Sequence, residues 1–424
     1  MTSKLLLALA IGITSLQASA QIQRCGTTEH QAALDLAFPE LKSQREALNV
    51  AADKLIESYP EYRTGMVVTI PVVFHILYGN SAQNIPDNRI YEQLDVMNKD
   101  YARLNLDAVN TRSMFTSVAA NTQIQFCLAQ QTPNGTATNG ILRIPFSGTF
   151  PNNPHTVSPE WDHTRYLNIY IGNLGGGLLG YSNLPPGSAG NDHVVVLYTA
   201  VGGPNVPGTF SPYDLGRTIT HEVGHWLNLQ HTFNNGCSGT TASTCNSGGD
   251  YVCDTPPTLN PAFGCPTNNP NTCTETSPFP PPYTSNMVDM YENYMDYTDD
   301  ACMNIFTLGQ STRMNAAITT LRPLLLSSVG CVPVGLNEIL DPSYIAISPN
   351  ISDGNFDVQF NFPGTTSVTL EILDMGGRKI YEVVQNQVKS STLNINLSDK
   401  SEGVYMVKAS TEKGYLVKRI IVAR

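Results

Sequence analysis

Three histidines and a glutamate stand close together in this 424-residue chain: His221, Glu222, His225 and His231, in the string HEVGHWLNLQH over 221–231. On a helix, positions i and i+4 share a face, so His221 and His225 can offer two imidazoles to one metal ion. Glu222 falls beside that metal without ligating it, where a carboxylate can take a proton from water. Zinc in a catalytic site wants three protein ligands and one open position. His231 is the third ligand only if the helix stops after His225 and the chain turns back. Asn228 is where that turn falls, because Asn tolerates the left-handed conformation better than most residues other than Gly. The chemistry on offer is hydrolysis by metal-activated water, with Glu222 as general base. HExxH alone arises by chance, and a lone buried histidine is more often core than ligand. The third histidine, ten residues after the first, sharply reduces that chance.

The string needs a scaffold. PYDLGRTITHEVGHWLNL (212–229) reads as its helix. Upstream, VVTIPVVFHILYG (67–79) reads as a buried strand rich in β-branched residues, and NRIYEQLDVMNKDYARLN (88–105) as an amphipathic helix with Ile90, Leu94, Met97 and Tyr101 on one face. Further strands are expected at 122–130, 166–174 and 193–201, which gives an α/β half with a mixed sheet. Beyond the site the chain becomes Gly/Pro/Cys-rich loop, with one more helix over 306–325. After a boundary near 331–345, FDVQFNF, SVTLEILD, TLNINL, GVYMVKAS and LVKRIIVA alternate apolar and polar residues, as the short strands of a small all-β sandwich do.

The ends and the composition fix the compartment. Lys4, the apolar run LLLALAIGI (5–13) and Ala18-Ser19-Ala20 make a signal peptide over 1–20, with the mature chain starting near Gln21. No later stretch is long and apolar enough to serve as a transmembrane anchor. The net charge of -11 argues against nucleic acid as a partner. Nine cysteines in an oxidising compartment should mostly pair, and an odd count leaves at least one over. Six lie between 237 and 302, where little else could hold an irregular segment.

The string 221–231 resembles the metzincin signature HExxHxxGxxH, and HEVGHWLNLQHTF is similar to the pappalysin metalloproteases. Asn228 departs from the usual Gly. The resemblance spans roughly residues 65–325. It implies a metzincin-like α/β catalytic domain, with a mixed twisted sheet, an active-site helix and an irregular disulfide-held lower half. It also implies a Met-turn in ENYMDYTDDACM (292–303): Met295 lies under the metal and Tyr297 stabilises the oxyanion. LGYSNLPP (179–186) resembles the rim strand that pairs with substrate backbone. GDYVCDTPP (249–257) resembles a segment that binds calcium in some members, through Asp250, Asp254 and Thr255; a solvated acidic turn is the alternative. By the same resemblance Cys265 pairs with Cys302 and Cys237 with Cys273, leaving Cys245–Cys253 and Cys127–Cys331 for the rest. Relatives that cut beside arginine carry an aspartate where this chain has Ala301, with Asp299 and Asp300 adjacent, so arginine preference is not implied.

Cys25, in Arg24-Cys25-Gly26-Thr27, resembles the cysteine switch of metzincin zymogens, a thiolate that takes the fourth zinc position. A disulfide partner or a free thiol is the alternative. The expected order is a signal peptide (1–20), a propeptide (21–63) with cleavage near Arg63, a catalytic domain (64–332), a linker (333–345) and a β-sandwich (346–424) that resembles the sorting domain of type IX secretion cargo. The function so implied is a secreted zinc endopeptidase, made latent and acting on extracellular proteins and peptides. It would pass through the periplasm of a gram-negative bacterium and engage the type IX machinery on its way to the cell surface or medium. The rival reading is a protease-fold adhesin that has lost activity.

Overall fold

A computed structural model of the chain describes residues 22–47, 67–333, 340–375, 377–412 and 414–424. The expected signal peptide, the later part of the helical patterning in 21–63 with Arg63, and 334–339 of the linker lie outside the described residues. The N-terminal segment forms α1 (Thr27–Ala37).

The first sheet is built on β1 (Val68–Tyr78), buried at nearly every position, so it carries a continuous apolar run instead of an alternating one. The first half of β1 pairs with β2 (Ile124–Leu128) and the second half with β3 (Ile141–Pro145), both parallel. On its other edge β1 pairs with β4 (Leu167–Gly172), and the order continues to β6 (His193–Leu197) and the short edge strand β5 (Gly180–Ser182). β5 alone runs antiparallel, which makes the sheet mixed as expected. No sequence expectation covered β3: ILRIP is short, and its Arg and Pro mask a strand of which only Ile141 is fully buried.

Helix α2 (Asp87–Tyr101) lays Ile90, Leu94, Met97 and Tyr101 on the sheet and ends before Arg103, whose φ is 55°. Helix α3 (Arg217–Trp226), which carries the HEVGH string, is shorter than the expected 212–229. Gly216 precedes it at φ 88°, a left-handed backbone that excludes Pro212–Gly216 from the helix. Helix α4 (Leu308–Leu321) replaces the expected 306–325; Thr307 and Gln310 form its capping box, and Pro323 lies just past its end.

The irregular segment between α3 and α4 is held by Cys237–Cys273, Cys245–Cys253 and Cys265–Cys302, while Cys127–Cys331 ties β2 to the chain after α4. All four expected pairs are formed, and Cys25 is the free cysteine.

The C-terminal region is all β: β7 (Ile345–Ser348), β8 (Ile351–Ser352), β9 (Asn355–Asp374), β10 (Lys379–Asn396), β11 (Gly403–Thr411) and β12 (Gly414–Val422). FDVQFNF and SVTLEILD, expected as two strands, are halves of one strand. The first half of β9 pairs with β7, the second with β11, and β10 follows both with register shifts between Gln385 and Ser390. The sheet thereby folds over a single core that includes Phe356, Phe360, Leu370, Ile395 and Val407.

Candidate metal centre and cleft

Helix α3 carries His221, Glu222 and His225, all buried. It ends in a Schellman turn: Asn228 adopts φ 77°, its N–H donates to the His225 carbonyl (2.8 Å), and the Leu229 N–H donates to the Gly224 carbonyl (2.9 Å). This is the reversal expected of Asn228, and it returns His231 to the helix face. The His225 Nε2 lies 3.1 Å from His221 Nε2 and 3.0 Å from His231 Nε2. Tetrahedral zinc with Zn–N near 2.0–2.1 Å would space its nitrogens about 3.3 Å apart, so the three imidazoles fit that ion.

The outer ring nitrogens fix the orientation. His221 Nδ1 bonds the Tyr294 carbonyl (2.6 Å) and His225 Nδ1 the Leu229 carbonyl (2.8 Å), which leaves both Nε2 lone pairs for a metal. Burial, with the neighbouring imidazoles, holds His221 and His231 well below the ordinary histidine range, so the donors are neutral. Below α3, a Cβ on Gly224 would meet Met295 Sδ at 2.5 Å; the absence of a side chain there lets Met295 pack directly against the helix.

The N-terminal segment lies across this centre. Gln23 bridges parallel to Leu178, and the Gly26 N–H donates to the Gly180 carbonyl (2.9 Å) on β5. Cys25 joins the histidines in one group whose ligand atoms all lie within 4.8 Å of one another. Burial and then Glu222 push its thiol well up; a bound cation would reverse that by favouring thiolate. Glu222 Oε2 accepts from Thr27 Oγ1 (3.0 Å) and Cys25 Sγ (3.5 Å). Burial pushes Glu222 up to about 8, against the pull of Cys25, Thr27 and Arg24. Tyr297 Oη donates to the Cys25 carbonyl (3.4 Å), and burial keeps the phenol protonated.

Two residues here escaped sequence reasoning. Arg24 is buried, with Nη2 2.8 Å from Asp300 Oδ1, Nη1 3.2 Å from Thr218 Oγ1, and its guanidinium 4.6 Å from the Tyr213 ring centre. Asp300 Oδ2 also accepts from the Leu215 (2.9 Å) and Arg217 (3.2 Å) amides at the start of α3. Ala301, which stands where relatives that cut beside arginine carry an aspartate, is exposed; the buried carboxylate in the cleft belongs to its neighbour Asp300. The adjacency of Arg24 to Cys25 was the available signal.

The proposed calcium residues are engaged within the chain. Asp250 accepts from the Val252 amide and from Thr255 Oγ1 (2.6 Å), while Asp254 accepts from Thr307 Oγ1 (2.6 Å) and the Gly309 amide at the start of α4. Calcium gains no support from this geometry.

Residues 152–319 match the family model of pregnancy-associated plasma protein-A, and 346–423 match that of secretion-system C-terminal sorting domains. Extracellular metalloprotease 1 of Coccidioides posadasii is 35% identical over 262 residues, 59% of this chain and 76% of that protein. Mature mirolysin of Tannerella forsythia, solved with a cleaved peptide, is 40% identical with a TM-score of 0.53, across 62% of this chain and 96% of that one. A promirolysin mutant from the same organism is 36% identical with a TM-score of 0.56, across 72% and 97%. No helix among the described residues is long and apolar enough to cross a membrane. Such identity, sustained over at least three quarters of each of these proteins, means that the chain belongs to the pappalysin family of secreted metalloendopeptidases.

Proposed function

We propose that the protein is a zinc endopeptidase made latent by its own N-terminal segment. The observation that carries this reading is the four-atom group of His221, His225, His231 and Cys25, with Glu222 against it. Residues 21–63 are the propeptide, 64–332 the catalytic domain, 333–345 a linker and 346–424 the sorting domain, which brings the chain to the type IX machinery after export led by residues 1–20. When bound, zinc supplies the Lewis acidity that polarises the scissile carbonyl and lowers the pKa of water to about 7.

The chain's residues do the rest. Glu222 takes the proton from water and returns it to the leaving amine, which needs Thr27 and Cys25 gone from its Oε2. Tyr297, a protonated donor at the centre, holds the developing oxyanion. The β5 edge, paired here with the N-terminal segment, receives an extended substrate. Asp300, once Arg24 has left, offers a desolvated carboxylate to a substrate guanidinium. That supports a preference for arginine in the subsite, which Ala301 by itself does not imply.

The test is cleavage of a denatured protein by the mature enzyme. Glu222→Gln and a chelator should each abolish it; cleavage that survives Glu222→Gln would overturn the mechanism. An adhesin with a protease fold would give no cleavage in any form.

A further inference from the structure

We infer that Asp296 is a positioning residue that holds Tyr297 and the chain beside His231 in one working arrangement. The inference rests on the proposed role of Tyr297. Asp296 sits between Met295 and Tyr297 with no exposed surface. Its Oδ1 accepts from two backbone amides, Tyr297 (2.7 Å) and Ala262 (2.8 Å), and its Oδ2 from Thr232 Oγ1 (2.9 Å).

Those three donors belong to three different segments. Thr232 follows His231, and its amide also bonds the Met295 carbonyl (3.3 Å). Ala262 precedes Phe263, whose ring lies 6.0 Å from that of Tyr297. Tyr297 itself packs edge-on against His231 (5.0 Å) and Phe233 (4.8 Å). The carboxylate therefore joins the segment beside His231, the Met-turn and one wall of the cleft.

A buried carboxylate supported by hydrogen bonds costs more than an apolar residue of similar size, so packing alone gives no reason for aspartate here. What aspartate provides is acceptor capacity at both oxygens and no donor that would repel the amides. Fixing the Tyr297 amide fixes the start of its side chain, and an oxyanion donor displaced by a fraction of an ångström loses much of its effect. Asparagine could keep its oxygen on the two amides and turn its NH2 to Thr232, whose hydroxyl can accept. Alanine removes all three bonds and leaves their donors buried.

The experiment measures kcat, KM, zinc stoichiometry and thermal midpoint for mature Asp296→Asn and Asp296→Ala, each alone and with Tyr297→Phe. Asp296→Ala should lower kcat by about a hundredfold and Asp296→Asn by roughly threefold to tenfold, with KM within about twofold and one zinc retained. In the Tyr297→Phe background, the same changes should cost less than about threefold, because both act through one donor. Equal losses in both backgrounds would overturn the inference alone. So would a loss that follows zinc content with kcat per bound zinc unchanged. Normal kcat in Tyr297→Phe by itself would overturn the reading of Tyr297, and this inference with it. If the alanine variant does not fold, Thr232→Val reads the same link and should give a smaller loss that vanishes with Tyr297→Phe; an undiminished loss there counts against it.

Discussion

Replacing Asp300 with asparagine should convert an arginine-preferring subsite into an indifferent one. The side chains of Arg24 and Asp300 are 1% and 0% exposed, so their attraction is little screened by water or salt. Removing one partner of such a pair typically costs about 3–5 kcal/mol, much of it the penalty of leaving the other charge unpaired. A substrate can decline to insert its guanidinium, so the lower end applies: about 3 kcal/mol, or roughly 10²-fold in kcat/KM. Asparagine is preferred to alanine because Oδ2 of Asp300 holds the Leu215 and Arg217 amides, and an amide oxygen can keep them while α3 stays in place. The assay compares two fluorogenic peptides differing only by arginine or norleucine at the residue that seats beside Asp300, cleaved by mature wild type and Asp300→Asn. Cleavage of the arginine peptide should fall by about 10²-fold and of the norleucine peptide by less than about threefold. An unchanged ratio between the peptides would refute the assignment, and equal loss on both would trace the effect to α3.

Three further outcomes follow from the same contacts. In the full-length chain, Cys25→Ala should release measurable activity before any cleavage, and adding Thr27→Val should raise it by about tenfold or more, the worth of a hydrogen bond to a carboxylate; full latency in the double variant would remove Cys25 and Thr27 as the lock. Asn228→Gly should keep or raise the thermal midpoint, whereas Asn228→Val, forced to φ 77°, should cost about 2–3 kcal/mol and speed zinc loss to a chelator. Burial first, and then Asp254 among its neighbours, push Asp250 up to about 8 from 3.8. Its proton is held more tightly folded than unfolded, so the stability it gives is complete below about pH 4 and lost as pH rises through about 8; in calcium-free buffer, thermal midpoints should fall less over that range in Asp250→Asn than in wild type.

What the sequence disclosed and what it withheld separate by the distance between partners along the chain. His221 and His225 lie one helical turn apart, and Asn228 ends the helix by a bond between neighbours, so spacing and backbone preference sufficed for them. Continuous apolar runs placed β1, β4 and β6 for the same reason, while β3 failed because its strand character comes from pairing with Phe74–Tyr78 and hardly from its own residues. The continuity of β9 also depends on its partners, since β7 takes one half and β11 the other. Arg24 and Asp300 are 276 positions apart, and Thr27 and Glu222 are 195 apart. No period links such residues; only the path that brings the N-terminal segment along β5 makes them neighbours. Arg24, Cys25 and Thr27 nonetheless fall within four consecutive residues: Arg24 meets Asp300, Cys25 the histidines and Glu222, and Thr27 Glu222. Gln23 and Gly26 tie the segment to Leu178 and Gly180, and α1 begins at Thr27, so the residues on either side of Cys25 are held in place with it. The free cysteine is therefore a registration mark: with Cys25 set among the histidines, Arg24 and Thr27 fall beside Asp300 and Glu222.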